Sequence, residues 1–217
     1  MTYTGEVSPG GPPQIRELSE LTITKISVGP RDNNAYLLRC HRTGEQLLID
    51  AANEPDRLLK IAGGAGLSTV VTTHQHADHW QALPDVVAAT GARSLAHPLD
   101  AAALPTESEL VEEGVRIPVG ACALEVIHLV GHTPGSIALL YEDPEGPPHL
   151  FTGDSLFPGG VGNTRGDPER FTSLINDVER KIFGRLPDDT WFYPGHGRDS
   201  TLGAERSSLP EWRVRGW

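Results

Sequence analysis

The sequence predicts an α/β fold made of two strand-and-helix halves, and three observations support this. Short apolar runs of the kind that form buried strands occupy residues 68–72, 123–129, 149–152 and 191–193, and each ends in a polar segment carrying histidine, aspartate or glycine. Stretches with helical spacing lie between the runs. The length of 217 residues is one at which a single layered core is ordinary, and no linker-like composition divides it.

Taken in order, residues 1–17 hold Gly5, Pro9, Gly10, Gly11, Pro12 and Pro13 without apolar periodicity. They are expected to be a mobile tail, leaving 18–217 as one domain. Residues 21–28 alternate loosely. Residues 35–40 and 46–49 read as successive strands around the turn Arg42-Thr43-Gly44. A helix is expected over 56–61 behind Pro55, and another over 79–89, with Trp80, Leu83 and Val86 spaced to face the core. The second half offers strands at 123–129, 136–141 and 149–152, then a long helix over 168–183, on which Arg170, Arg180 and Lys181 read as solvated. His128 and His149 lie inside strands and are read as structural. Cys40 and Cys122 sit in strand-like runs without a CxxC spacing, as small buried hydrophobes do.

The formal charge of −11 argues against a nucleic-acid partner, since the basic residues are scattered apart from a modest group at Arg206, Arg213 and Arg215. No run approaches the roughly 18 apolar residues of a membrane span. No basic segment leads into an apolar one at the start of the sequence, so no signal peptide is read and a cytoplasmic location is expected.

The most informative run is Thr73-His74-Gln75-His76-Ala77-Asp78-His79-Trp80, directly after a strand-like stretch. His74 and His76 project from one side of an extended segment, because side chains there alternate with period 2. Asp78 and His79 open the next helix, whose first turn favours an aspartate. Neutral imidazole and carboxylate together suit Zn²⁺. Three more residues share the same setting, at strand ends beside glycine: His132 in Val130-Gly131-His132-Thr133-Pro134-Gly135, Asp154 in Thr152-Gly153-Asp154-Ser155, and His196 in Tyr193-Pro194-Gly195-His196-Gly197.

Together with Asp50 in Leu47-Leu48-Ile49-Asp50, the HxHxDH run and the three later residues resemble, in order, the pattern of the metallo-β-lactamase superfamily and, within it, the glyoxalase II-like hydrolases. The resemblance implies an αββα sandwich of two mixed sheets flanked by helices, with the metal site at one edge. It implies one metal on His74, His76 and His132, a second on Asp78, His79 and His196, and Asp154 bridging them. Physical chemistry agrees: three neutral histidines leave a zinc with an open position, and two cations about 3.5–4 Å apart need the anionic charge of the two aspartates. Two Zn²⁺ per chain are therefore expected, with Fe²⁺ as the alternative cofactor. Asp50 is expected behind the ligands, orienting a loop or a ligand imidazole.

The segment Gly153-Asp154-Ser155-Leu156-Phe157 and on to Gly162-Asn163-Thr164 resembles a stretch of glyoxalase II-like thioesterases and of persulfide dioxygenases, with Asn163 where those enzymes have arginine. The sequence ends soon after His196, without the helical domain that binds glutathione in glyoxalase II, so a thioester of another small thiol is expected, with mycothiol and bacillithiol conjugates as candidates by analogy. Phe157, Asn163, Arg165, Arg170 and Tyr193 are the candidate pocket residues. The expected chemistry is attack on the acyl carbon by a hydroxide held between two zincs, with Asp78 able to accept its proton. A persulfide dioxygenase would use an iron on His74, His132 and Asp154 and leave four donors idle. A β-lactamase is disfavoured because Asp154 is outside the usual lactamase ligand set. A lactonase and a metal-binding module without turnover are the remaining alternatives.

Overall fold

In the computed structural model, which describes residues 3–64 and 66–216, two mixed sheets pack face to face with helices on both outer sides. The first sheet has seven strands in sequence order: β1 (Gln14–Glu17), β2 (Leu21–Val28), β3 (Asn33–Cys40), β4 (Gln46–Ile49), β5 (Leu67–Val71), β6 (Arg93–Ala96) and β7 (Glu109–Leu110). β1 to β4 run antiparallel, and β4 to β7 are parallel neighbours. Helices α1 (Pro55–Ala62), α2 (Leu83–Thr90) and the short α3 (Pro98–Ala101) fall between the parallel strands, as such crossovers require.

The second sheet contains β8 (Arg116–Val119), β9 (Cys122–His128), β10 (Ile137–Tyr141), β11 (His149–Gly153), β14 (Trp191–Pro194) and β15 (Ser200–Thr201), ordered β15-β14-β11-β10-β9-β8. A small ribbon, β12 (Leu156–Phe157) with β13 (Gly160–Val161), stands apart. α4 (Pro168–Asp177), α5 (Leu202–Glu205) and α6 (Leu209–Arg215) complete the chain.

Alternation explains why the strands read as nearly continuous apolar runs. In β10, Ile137, Leu139 and Tyr141 enter the core between the sheets, whereas Ala138 and Leu140 face α4 and α6 with Leu174, Ile175 and Trp212. The first sheet does the same, sending Leu38, Leu47 and Ile49 inward and Leu37, Leu48 and Val70 toward α1 and α2. Both faces are covered, so both phases of the period-2 pattern are apolar.

Several expectations are adjusted. The stretch expected as a tail instead contains the edge strand β1, registered from Gln14 opposite Lys25 to Glu17 opposite Thr22. Ahead of it, Tyr3 Oη donates to Asp199 at 2.6 Å and Gly5 O accepts from Lys25 at 2.7 Å. An edge strand with one half-covered face needs no apolar periodicity, which is why none is visible there. Residues 1 and 2 lie outside the described residues. The helix expected over 79–89 begins only at Leu83, after a 3₁₀ turn Ala77–His79, because Pro84 lacks an N–H and fits only the first helical turn. The helix over 168–183 is α-helical to Asp177 and continues as a π-helical segment, Val178–Phe183. Its start is well determined: Asp167 accepts from the N–H groups of Glu169 and Arg170, and Pro168 follows. Among the described residues no helix is long and apolar enough to cross a membrane.

Candidate metal centre

Four chain segments converge at one edge of the sandwich, each leaving a strand end. The turn after β5 carries His74, His76, Asp78 and His79, the β9–β10 loop carries His132, and the residues following β11 and β14 are Asp154 and Gly195-His196. The approach is close enough to exclude side chains in two places. Gly153 takes a left-handed φ of 48°, and a Cβ at Gly195 would run into Asp154 and His79 Cε1.

The donor atoms form overlapping groups: His74, His76 and His132; His74, His79 and Asp154; and Asp78, His79 and His196, the atoms of each lying within 4.8 Å of one another. His132 Nε2 is 2.9 Å from His76 Nδ1, and His79 Nε2 is 3.3 Å from His196 Nε2. Asp154 stands between the groups. Its Oδ1 is 3.4 Å from His79 Nε2, and its Oδ2 is 3.7 Å from His132 Nε2 and 3.6 Å from His196 Nε2. Asp78 Oδ2 lies 3.6 Å from His196 Nε2 and accepts from Asn33 Nδ2 at 3.2 Å.

The electrostatics favour cations at this point. Burial, with the neighbouring imidazoles, holds His74 well below the usual histidine range despite Asp154. Burial likewise pushes His76 down and takes His132 to about 4, so all three present neutral lone pairs near pH 7. His79 goes the other way: burial opposes its charge, but Asp154 and Asp50 outweigh it and push it up to about 10. Burial would raise Asp154, yet His79, His74 and His196 hold it far below the carboxylate range. A proton on His79 thus occupies a place where a cation meets the same carboxylates. Two buried atoms in the cluster, His74 Nε2 and Asp154 Oδ1, have no hydrogen-bond partner among the described residues. Unpaired buried acceptors beside neutral imidazoles fit metal ions.

Supporting contacts fix the donors. Asp50, in a left-handed conformation at φ 58°, accepts from His79 Nδ1 at 2.8 Å and from Thr73 N and Oγ1, each at 2.8 Å. His132 Nδ1 donates to Asn163 O at 2.9 Å, and His196 Nδ1 to Arg31 O at 3.0 Å. In each case the far nitrogen is held by oxygen, leaving the near one free to bind.

Of the expected pocket residues, Asn163 and Arg165 line a cavity of about 670 Å³ with His76, Asp78, His132, Asp154 and His196. Arg165, Arg170 and the same His76 and His132 also line an adjoining cavity of about 560 Å³. Tyr193 is a correction: it is 0% exposed between the sheets, stacked on Phe151 with centroids 4.8 Å apart and joined to His149. Strand alternation sends Phe192 toward α4 and Tyr193 inward, so the tyrosine cannot reach a ligand. Phe157, in β12, lines neither cavity. Arg31 and Gln81 belong to the cavity wall without any motif that marks them, and Asn33 reaches Asp78 from β3 by a side-chain contact invisible in a linear pattern.

A family model described as the metallo-beta-lactamase superfamily matches residues 28–196. A hydroxyacylglutathione hydrolase from Fuscovulum blasticum is 36% identical over 168 residues, covering 76% of this chain and 63% of that protein. The chain thus spans less than two thirds of that relative's length. Among solved structures, ETHE1 from Myxococcus xanthus aligns with a TM-score of 0.76 and 27% identity, over 88% of this chain and 84% of that one. TTHA1623 in a di-iron-bound form aligns with a TM-score of 0.72 and 33% identity, over 86% of this chain and 98% of that one.

Proposed function

The chain belongs to the metallo-β-lactamase superfamily, and from that premise we propose that it is a metal-dependent hydrolase of small-molecule acyl thioesters carrying two zinc ions. The observation that carries this reading is the convergence of seven donors into three overlapping groups, the middle one of which contains Asp154. Similarity to hydroxyacylglutathione hydrolases supports the thioester class.

In this reading His74, His76 and His132 would hold one ion, Asp78, His79 and His196 would hold the other, and Asp154 would serve both. When bound, the two ions would supply Lewis-acid polarisation of the acyl carbonyl and a water nucleophile available near neutral pH. The protein's part is placement and proton handling. Asp78 lines the cavity, with Oδ2 also facing His196, and can accept a proton from water there. Arg165 and Asn163, on the cavity wall beside His76 and His132, orient the substrate. A thiolate leaves with little help from a general acid, which suits a site whose imidazoles are all engaged.

A second reading, iron in place of zinc with oxidation of a persulfide, has the likeness to ETHE1 and to the di-iron-bound TTHA1623 in its favour. It ranks below the first because a facial triad needs only three of the converging donors. Metal analysis of protein purified without added metal tests the choice. Two zincs per chain, and thioester cleavage lost in His132→Ala with the fold retained, support the hydrolase. One iron per chain with oxygen uptake and no thioester cleavage transfers the case to the oxygenase.

A further inference from the structure

We propose that Asp100, which carries no motif and lies outside the donor cluster, is the positioning residue that holds the three-histidine half of the centre in register. This role rests on the two-metal reading above. Asp100 sits in α3, is 1% exposed, and has no ion-pair partner among the described residues. Its Oδ2 accepts from the backbone N–H of Gln75 at 2.9 Å and from Thr133 Oγ1 at 2.5 Å, while Oδ1 accepts from Gly135 N–H at 2.8 Å.

The placement of those donors gives the contacts their meaning. Gln75 stands between His74 and His76, and Thr133 follows His132. The first pair leaves a strand of one sheet, and His132 belongs to a loop of the other. One carboxylate therefore ties together the two loops whose imidazoles must meet, and they do meet, with His132 Nε2 2.9 Å from His76 Nδ1. The fit at Gly135 is tight, since a Cβ there would lie 2.8 Å from both Asp100 Cγ and Asp100 N. A backbone N–H points at each of the two oxygens, that of Gln75 at Oδ2 and that of Gly135 at Oδ1, which calls for a group that accepts on both sides. An amide would turn an N–H toward one of those donors. A buried carboxylate without a cation is costly as a purely structural device, whereas outer contacts that aim metal ligands change metal affinity severalfold to a hundredfold.

The test titrates metal-free wild type, Asp100→Asn and Thr133→Val with Co²⁺, following bound ion by calorimetry and by visible absorption. His132→Ala and His196→Ala serve to identify which binding step belongs to which half. Asp100→Asn should keep its far-ultraviolet circular dichroism and the step assigned to Asp78, His79 and His196, while the three-histidine step weakens at least tenfold. Thr133→Val, which removes one of the three contacts and covers the case in which the amide variant fails to fold, should weaken the same step by a smaller factor. Unchanged affinity at the three-histidine step, in either folded variant, overturns the proposal. So does equal weakening of both steps in parallel with lost thermal stability. If wild type shows no step that His132→Ala removes, the two-metal reading itself is at fault, and Asp100 loses its assigned role with it.

Discussion

The carboxylate of Asp50 lies 2.8 Å from Nδ1 of His79, with both side chains buried, and its two oxygens also take the Thr73 N–H and hydroxyl. The strand end at β4 and the turn after β5 are thereby locked to one another. His79 Nε2 is left aimed at Asp154 and His196, 3.4 Å and 3.3 Å away. Replacing Asp50 with Asn should lower affinity for the ion proposed at Asp78, His79 and His196 by about 10–100-fold, the usual effect of losing such an outer contact. Metal titration of the purified variant measures this, and unchanged affinity would remove Asp50 from the account.

Asp154 should behave differently from Asp50. Its carboxylate faces His79, His132 and His196 together, so Asp154→Asn removes a charge shared by both halves. Both binding steps should weaken, and turnover should fall more than for loss of either single histidine's outer contact. Weakening of one step alone would show that Asp154 does not lie between two ions.

Away from the centre, Lys25 and Asp199 form a fully buried pair at 2.6 Å, and Lys25 Nζ also donates to Gly5 O and Gly197 O. Burial pushes Lys25 down and Asp199 up, against their mutual attraction. Lys25→Met would strand Asp199 without a cation and should cost about 3–5 kcal/mol. Urea unfolding of the metal-free protein reads this directly, and the loss should shrink when Asp199 is also made neutral.

His149 supplies a pH test. It is 0% exposed, its Nε2 has no hydrogen-bond partner among the described residues, and burial with nearby Arg16 takes its pKa from 6.5 to about 4. The folded state therefore resists a proton that the unfolded state accepts below about 6.5. The stability contributed by neutral His149 is complete above that pH and is lost as pH falls toward about 4. Between pH 7.5 and 5 the metal-free protein should lose about 2 kcal/mol more than His149→Gln loses, on the scale of 1.36 kcal/mol per pKa unit. Parallel pH profiles for the two proteins would contradict this.

Much of this architecture is legible in the sequence because the strands are covered on both faces and so appear as unbroken apolar runs. The converging donors are legible for a related reason: each stands where such a run ends beside a glycine or in the HxHxDH turn. What is hidden depends on pairing between distant segments. β1 has only Gln14, Ile15, Arg16 and Glu17 to announce it, and becomes a strand through its register with β2. Tyr193 looks like a pocket residue because it precedes His196, but the phase of its strand, set by pairing with β11, turns it inward. Asp100 and Lys25 act through contacts that cross 20 to 174 positions of sequence, which no local pattern encodes.

The most direct measurement is thiol release from a small acyl thioester by one metal-defined preparation, with dissolved oxygen monitored in the same vessel. Steady thiol release without oxygen uptake is expected, abolished by chelation, restored by Zn²⁺, and absent in His132→Ala. Oxygen consumption on a persulfide with no thioester cleavage, or cleavage that survives complete removal of metal, would contradict that expectation.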